Sequence, residues 1–129
     1  TNIILKYTLK TNKMKFLQKD LRPWGQYFVV HDEKSYKLKR IEIKPGQRIS
    51  YQFHKKRSET WTIVKGSGVL NLDGIEKNVK YGDTITISKK VKHRIYNNTN
   101  SDLIFIEVQT GSYFGEDDII RIEDDYKRI

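Results

Sequence analysis

Alternation of hydrophobic and polar positions predicts short β-strands along most of this chain. In the run Tyr36–Ile43, residues two apart share a face, with the even-numbered residues on one side and the odd-numbered residues on the other. The same reasoning predicts strands at 26–30, 49–54, 59–65, 69–72, Ile75–Lys80, 84–88, 93–97 and 103–109. Turn sequences stand between them, notably Lys44-Pro45-Gly46, Asp73-Gly74 and Tyr81-Gly82-Asp83. Many short strands joined by turns predict an all-β sandwich or closed barrel.

The two ends of the chain carry weaker patterns. Residues 1–20 hold a short apolar run at positions 3–5, which predicts no more than an edge strand. We therefore treat residues 1–20 as an N-terminal extension and residues 21–129 as one domain. Residues 115–129 are acidic and then basic, and we expect at most one helical turn, at 117–121.

Composition excludes several classes of protein. The chain has no cysteine, which rules out disulfide bonds and thiolate metal ligands. No apolar run approaches the roughly 20 residues of a membrane span, and residues 1–20 lack the features of a secretory signal. We therefore expect a cytoplasmic protein that does not bind membranes.

The net charge of +9, from 25 basic and 16 acidic residues, favours anionic ligands. The basic residues are scattered and form no nucleic-acid-binding motif, so we do not expect a nucleic-acid partner. Two interpretations stay open at this point, a solvated surface and an anion-binding site.

Four side chains predict a metal site. Gln52 and His54 share one face of a strand, and Glu59 begins the next strand, within reach of the same point. His93 opens a later strand. Two imidazoles, a carboxylate and an amide oxygen suit Zn, Mn, Fe, Co or Ni, and the ligands alone do not choose among these divalent ions.

The opposite face of the same strand carries Ile49, Tyr51 and Phe53, which we expect to point out of the barrel. An apolar outer face needs cover from a second sheet or a second subunit. A homodimer is therefore predicted.

The spacing of these candidates resembles the motifs of the cupin family. The first motif runs from Gly46 through Gln52, His54 and Glu59 to Gly66, with Gln52 in place of the usual first histidine. A segment similar to the second motif runs from Gly82 through Ser88 to His93 and Asn97. The resemblance implies a cupin β-barrel, a double-stranded β-helix related to the jelly roll.

Further segments resemble one branch of this family, the type II phosphomannose isomerase domain found at the C-terminus of bifunctional mannose-1-phosphate guanylyltransferase/mannose-6-phosphate isomerases. The segments are Arg22-Pro23-Trp24-Gly25, Tyr36-Lys37-Leu38-Lys39-Arg40-Ile41, Arg57-Ser58-Glu59, His93-Arg94 and Glu107-Val108-Gln109-Thr110-Gly111. The resemblance implies metal-dependent interconversion of mannose 6-phosphate and fructose 6-phosphate, with Gln52, His54, Glu59 and His93 as ligands. It covers no nucleotidyltransferase domain, so we expect a stand-alone isomerase domain without guanylyl transfer.

Two positions depart from the family. Lys56 and Thr60 stand where members often carry histidines, and both were expected to border the metal. Isomerisation also needs a base that reaches two carbons. Lys56, Tyr51 and Glu107 are the candidates, and the sequence does not choose among them.

The phosphate group of such a substrate needs cationic partners. Arg57, Arg94, Arg22 and Lys39 are the candidates, because arginine grips phosphate through two parallel hydrogen bonds. Two alternatives stay open: a sugar-nucleotide epimerase or ketoisomerase that uses a histidine base without metal, and a non-catalytic sensor of metal or sugar phosphate.

Overall fold

The computed structural model describes residues 14–129, and every regular element in that range is a β-strand. In chain order the strands are β1 (Gln18–Arg22), β2 (Gly25–Asp32), β3 (Tyr36–Ile43), β4 (Tyr51–Phe53), β5 (Arg57–Lys65), β6 (Ser67–Leu72), β7 (Ile75–Lys80), β8 (Thr84–Ile87), β9 (His93–Tyr96), β10 (Leu103–Gly111) and β11 (Ile120–Glu123). Within residues 14–129 no helix is long and apolar enough to cross a membrane.

The strands form two antiparallel sheets. One sheet has six strands in the order β1-β2-β3-β10-β5-β8, and the other has five in the order β11-β4-β9-β6-β7. The chain passes between the sheets at tight turns such as Gly66, whose φ of +82° favours glycine. A Cβ at Gly66 would lie 2.5 Å from the carbonyl oxygen of Asp102, so no larger residue fits there. The predicted all-β fold is confirmed.

The elements differ from the sequence expectations at three places. The strand expected at 49–54 is regular only over Tyr51–Phe53. The helical turn expected at 117–121 is a turn followed by β11, because the alternating sequence from Ile120 to Glu123 pairs with β4. The strand Gln18–Arg22 crosses the boundary drawn at residue 21 and pairs along β2, while the edge strand expected at positions 3–5 lies outside the described residues.

The inward-facing residues of the six-stranded sheet lie in rows that cross β3, β10 and β5. One row joins Ile41, Phe105 and Ile63, and the next row joins Lys39, Glu107 and Trp61. The odd-numbered face of β3, which carries the two lysines, is thus the buried one. Lysines are almost never fully buried unless they are paired, and both Lys37 and Lys39 contact Glu116.

Of the three side chains expected to point out of the barrel, Ile49, Tyr51 and Phe53, one lies in the core. Ile49 is buried at 6% exposure and packs in the core. It precedes the regular part of β4, so strict alternation does not extend to it. Tyr51 and Phe53 are half-buried. The homodimer inferred from this face stays a prediction.

Residues 112–129, here called the C-terminal tail, cross from the six-stranded sheet to the five-stranded one. They leave β10, meet Lys37 through the carbonyl oxygen of Phe114, and enter β11. Beyond β11, the Tyr126 hydroxyl donates to Gln47. The tail therefore runs along the mouth of a pocket between the sheets, which the next subsection describes.

Candidate metal and substrate site

Three side chains that can bind a metal converge inside the barrel. One ligand atom from each of His54, Glu59 and His93 lies within 4.8 Å of the others. His54 Nε2 is 3.3 Å from Glu59 Oε2, and His93 Nε2 is 3.8 Å from Glu59 Oε1. All three residues are at most 3% exposed. Water is therefore largely excluded from a cluster with the chemistry of a divalent-ion site.

The strands explain why these residues meet. His54 directly follows β4, and His93 opens β9, which pairs antiparallel to β4 with His93 opposite Gln52. Glu59 comes from β5 in the other sheet. The cluster therefore bridges the two sheets, with His54 and His93 from one and Glu59 from the other.

Both imidazoles are oriented by backbone carbonyls. His54 Nδ1 donates to the carbonyl oxygen of Asp118 at 2.6 Å, and His93 Nδ1 donates to that of Val91 at 2.9 Å. With Nδ1 protonated, Nε2 carries the lone pair on each ring. His93 Nε2 is buried and has no hydrogen-bond partner among the described residues. A buried nitrogen with a free lone pair beside a carboxylate fits a metal ligand.

Gln52 lies beside the cluster with its amide nitrogen inward. Its Nε2 is 3.4 Å from His54 Nε2, and its Oε1 accepts from the Ser50 hydroxyl. A half-turn of the amide would present Oε1 instead, and the Ser50 hydroxyl could then accept from Nε2. Gln52 can thus supply the predicted fourth ligand after rotation of its amide group.

Electrostatics keep the histidines neutral. Burial and, after it, the positive charge of Arg57 lower the pKa of His54 to about 4. Burial likewise lowers the pKa of His93. Neutral imidazole is the form that binds metals. Arg57 Nε also donates to Glu59 Oε2 at 2.9 Å, and its Nη2 lies 3.5 Å from His54 Nε2, so the guanidinium competes for that lone pair.

Among the three base candidates, only Glu107 lines the pocket that contains Glu59. Its Oε1 accepts from Trp61 Nε1 at 3.0 Å, and its Oε2 accepts from Gln109 Nε2 at 2.7 Å. Burial and, after it, the negative charge of Glu59 raise the pKa of Glu107 to about 7. A carboxyl group that titrates near neutrality is suited to proton transfer.

The other two base candidates are elsewhere. Tyr51 lines a separate depression on the other side of β4, because it alternates with Gln52. Lys56 is exposed, and its ammonium group lies over the ring of Tyr113. Thr60 is also exposed. The expectation that Lys56 and Thr60 border the metal was therefore wrong.

Three of the four phosphate-binding candidates reach the pocket. Arg22, Lys39 and Arg57 line it, whereas Arg94 does not. The Arg94 guanidinium points to the outer side of β9, where it donates to the carbonyl oxygen of Ile49. Arg94 follows His93 directly in the strand, so the two side chains point to opposite faces.

The tail contributes pocket residues that the sequence analysis missed, namely Glu116, Ile119, Arg121 and Arg128. Glu116 Oε2 accepts from Lys39 Nζ at 2.6 Å. Burial would raise the pKa of Glu116, but attraction to Lys39 outweighs it and lowers that pKa to about 2. The period-2 sequence Ile-Arg-Ile-Glu at Ile120–Glu123 was the available signal for a strand that aims Arg121 inward.

A barrel of two antiparallel sheets with an inward-facing histidine and carboxylate cluster defines a cupin. The family described as "Mannose-6-phosphate isomerase C-terminal" matches residues 10–124. The chain belongs to this family, which places it among cupins of the sugar-phosphate isomerase type.

Comparison with known proteins agrees with this assignment. The chain is 41% identical over 107 residues to a mannose-1-phosphate guanylyltransferase of Salmonella montevideo, covering 83% of this chain and 23% of that protein. The chain thus spans about a quarter of the length of the curated relatives it matches.

Solved structures share the fold. A conserved protein with a double-stranded β-helix domain from Klebsiella pneumoniae has a TM-score of 0.67 at 23% identity, covering 75% of this chain and 83% of the other. The capsular polysaccharide assembling protein CapF from Staphylococcus aureus has a TM-score of 0.73 at 19% identity, covering 82% of this chain and 32% of CapF.

Proposed function

We propose that this chain is a metal-dependent isomerase that interconverts mannose 6-phosphate and fructose 6-phosphate. The observation that carries the proposal is the buried cluster of His54, Glu59 and His93, in which both histidines are turned by backbone carbonyls so that Nε2 faces the carboxylate. Membership of the mannose-6-phosphate isomerase C-terminal family supports the choice of substrate.

In the proposed site, His54, Glu59, His93 and a rotated Gln52 hold the ion. When bound, a divalent cation supplies a Lewis acid that stabilises negative charge on substrate oxygens. The residues fit this role because the histidines are neutral and buried and the carboxylate lies between them. Zn, Mn, Fe, Co and Ni all suit this ligand set.

We assign the proton transfers to Glu107. In the forward direction its carboxylate takes the proton from C2 of the open-chain aldehyde, the electrons of the C2–H bond form the C1–C2 double bond, and O1 takes the negative charge of the cis-enediolate. The proton of the C2 hydroxyl passes to O1, the carboxylic acid returns its proton to C1, and the C2 oxygen becomes the ketone of fructose 6-phosphate. One group serves both steps because its pKa of about 7 keeps both protonation states populated near neutrality.

Three other residues position this machinery. Trp61 and Gln109 each donate to Glu107 and fix the direction of its carboxylate. Trp61 Nε1 also donates to Glu59 Oε1 at 3.1 Å, so one indole links the base to a metal ligand. Arg57 balances the charge of Glu59.

The proposal is tested by turnover of a panel of hexose phosphates with chelator-treated protein to which single metals are returned. We expect mannose 6-phosphate to be converted only after a divalent metal is restored. Full activity without metal would favour the epimerase or ketoisomerase alternative. Tight binding of mannose 6-phosphate without turnover would favour a sensor.

A further inference from the structure

Two arginines in the pocket carry charge that no carboxylate neutralises. Of the five pocket cations, Lys39, Arg57 and Arg128 each form an ion pair. Across residues 14–129, Arg22 and Arg121 form none, and residues 1–13 contain no aspartate or glutamate. The unneutralised charge of the pocket is therefore concentrated on Arg22 and Arg121.

Arg121 is held with an unused donor. Its Nε is buried and has no hydrogen-bond partner among the described residues. Burial lowers the pKa of Arg121, and the positive charges of Arg128 and Arg22 add to this against the opposing charge of Asp124. Leaving a buried donor unpaired costs free energy, so such a group calls for an explanation. An anionic ligand would satisfy the donor and relieve the repulsion.

Among residues 14–129, Arg22 donates hydrogen bonds only to neutral groups. Its Nη1 donates to the carbonyl oxygen of Leu21 at 3.0 Å, and its Nη2 donates to the Tyr27 hydroxyl at 3.2 Å. The guanidinium also lies 5.1 Å from the centre of the Tyr27 ring. These contacts hold the group in place and leave its charge available.

The sheet register places this charge beside the metal cluster. Arg121 on β11 is directly opposite Gln52 on β4, and residues opposite each other share a face. The amide of Gln52 is in turn 3.4 Å from His54 Nε2. The pocket therefore brings metal-ligating residues, the base Glu107 and the guanidinium groups of Arg22 and Arg121 together. A hexose 6-phosphate carries its reacting carbons and a phosphate in one small molecule, which fits this combination.

We propose that Arg22 and Arg121 together form the binding site for a phosphate monoester dianion, the phosphate of the substrate. The inference rests on the proposed function for the identity of the sugar, but not for the anion site itself. Guanidinium groups suit a phosphate because each can donate two parallel hydrogen bonds. Arg57 and Lys39 are then left to Glu59 and Glu116, with which they form ion pairs.

The test measures the affinity of the metal-loaded full chain for inorganic phosphate by calorimetry at constant ionic strength. We expect Arg121→Ala and Arg22→Ala each to raise the phosphate Kd roughly 10- to 100-fold. Arg121→Lys should raise it less, because lysine keeps the charge and loses the paired donors. The matched control is Arg40→Ala, whose guanidinium pairs with Glu42 outside the pocket, and its Kd should equal that of the wild type.

Metal content and circular dichroism are recorded for every variant, and Arg121→Lys replaces Arg121→Ala if the alanine variant does not fold. No measurable phosphate binding by the wild type would overturn the inference. So would wild-type phosphate affinity in a folded Arg121→Ala protein with normal metal content.

Turnover of mannose 6-phosphate separates this inference from the proposed function. We expect Arg121→Ala to raise KM more than it lowers kcat, because the phosphate is held equally in the ground and transition states. Phosphate binding that depends on both arginines, without any turnover, would overturn the proposed function and support the anion site. Turnover by Arg121→Ala with an unchanged KM would support the proposed function and overturn the anion site.

Discussion

The two ends of the barrel interior are built from the same strands and have opposite chemistry. Along β10, Leu103 and Phe105 are fully buried among apolar side chains at one end. Glu107 and Gln109, the next inward residues of the same strand, are equally buried beside polar partners at the other end. We call these the apolar end and the polar end.

The neighbouring strands repeat the change. The inward residues of β3 pass from Ile43 and Ile41 to Lys39 and Lys37. Those of β5 make the same change one row later, from Ile63 and Trp61 to Glu59 and Arg57. Alternation thus determines which residues of a strand face the barrel interior. The position of each inward residue along the strand determines whether it lies in the apolar core or in the site. Buried charges require exact partners and reduce stability when a partner is lost, which is typical of a functional site.

The largest expected effect lies at the polar end. His93→Ala or His54→Ala should remove bound metal and lower activity by more than about 100-fold, since even the groups that support ligands are worth 10- to 100-fold. His31→Ala is the matched control, because His31 is exposed at the end of β2. Metal analysis and the isomerase assay check both. Equal metal content in all three variants would refute the ligand assignment.

Glu107→Gln, also at the polar end, should lower activity and leave stability nearly unchanged. We expect kcat to fall about 100- to 10,000-fold, because the substitution removes proton transfer. Stability should change little, since Gln109 Oε1 is buried without a partner in residues 14–129 and can accept from the new amide after a half-turn of the Gln109 side-chain amide. Denaturant unfolding and steady-state kinetics measure the two quantities. Wild-type kcat in a folded variant would rule out Glu107 as the base, and Glu76→Gln, at an exposed position, is the control.

Phe105→Ala tests the apolar end. Phe105 is fully buried and stacks on Trp61 with ring centres 4.3 Å apart, so the substitution should lower the free energy of unfolding by about 3–5 kcal/mol. Urea unfolding measures the change. A loss below about 1 kcal/mol would mean that burial at this end does not stabilise the barrel as argued. Leu21→Ala provides a control, because Leu21 is 72% exposed.

The sequence predicted the strands and the meeting of His54, Glu59 and His93, because both follow from period-2 alternation and short turns. It could not tell which face of β3 is buried. The odd-numbered face carries Ile41 and Ile43 beside its two lysines, and the even-numbered face carries Tyr36 and Leu38 beside Arg40 and Glu42, so composition favours neither. The buried lysines lie beside carboxylates that are distant in sequence, Glu107 and Glu116.

Two errors concern which face of a strand a residue occupies. Ile49 lies where β4 is not yet regular, so its side chain packs in the core although the pattern placed it outside. Arg94 was named as a phosphate-binding candidate, although it follows the inward-facing His93 and adjacent strand residues face opposite ways. Arg121 was missed because the alternation at Ile120–Glu123 covers only four residues, and the pairing of β11 with β4 is not visible in a local pattern.

The smallest expected effect is the pH-dependent contribution of Glu116, a residue of the C-terminal tail, to the stability of the polar end. The pKa of Glu116 is about 2 in the folded protein against 4.5 ordinarily, because attraction to Lys39 outweighs burial. A carboxyl group whose pKa is lowered by folding stabilises the protein above its ordinary pKa, and this stabilisation is lost as pH falls through the lowered one. Glu116→Gln should therefore be less stable than the wild type at pH 7, by less than Phe105→Ala because Glu116 is 41% exposed to solvent.

The difference between wild type and Glu116→Gln should shrink as the pH is lowered from about 5 towards about 2, since the wild type then loses the same charge. Denaturant unfolding at a series of pH values measures it. Phe105→Ala serves as the reference, because an apolar contact does not titrate and its destabilisation should persist across the same range. A Glu116→Gln difference that stayed constant with pH would show that the ion pair with Lys39 does not hold the tail to the polar end.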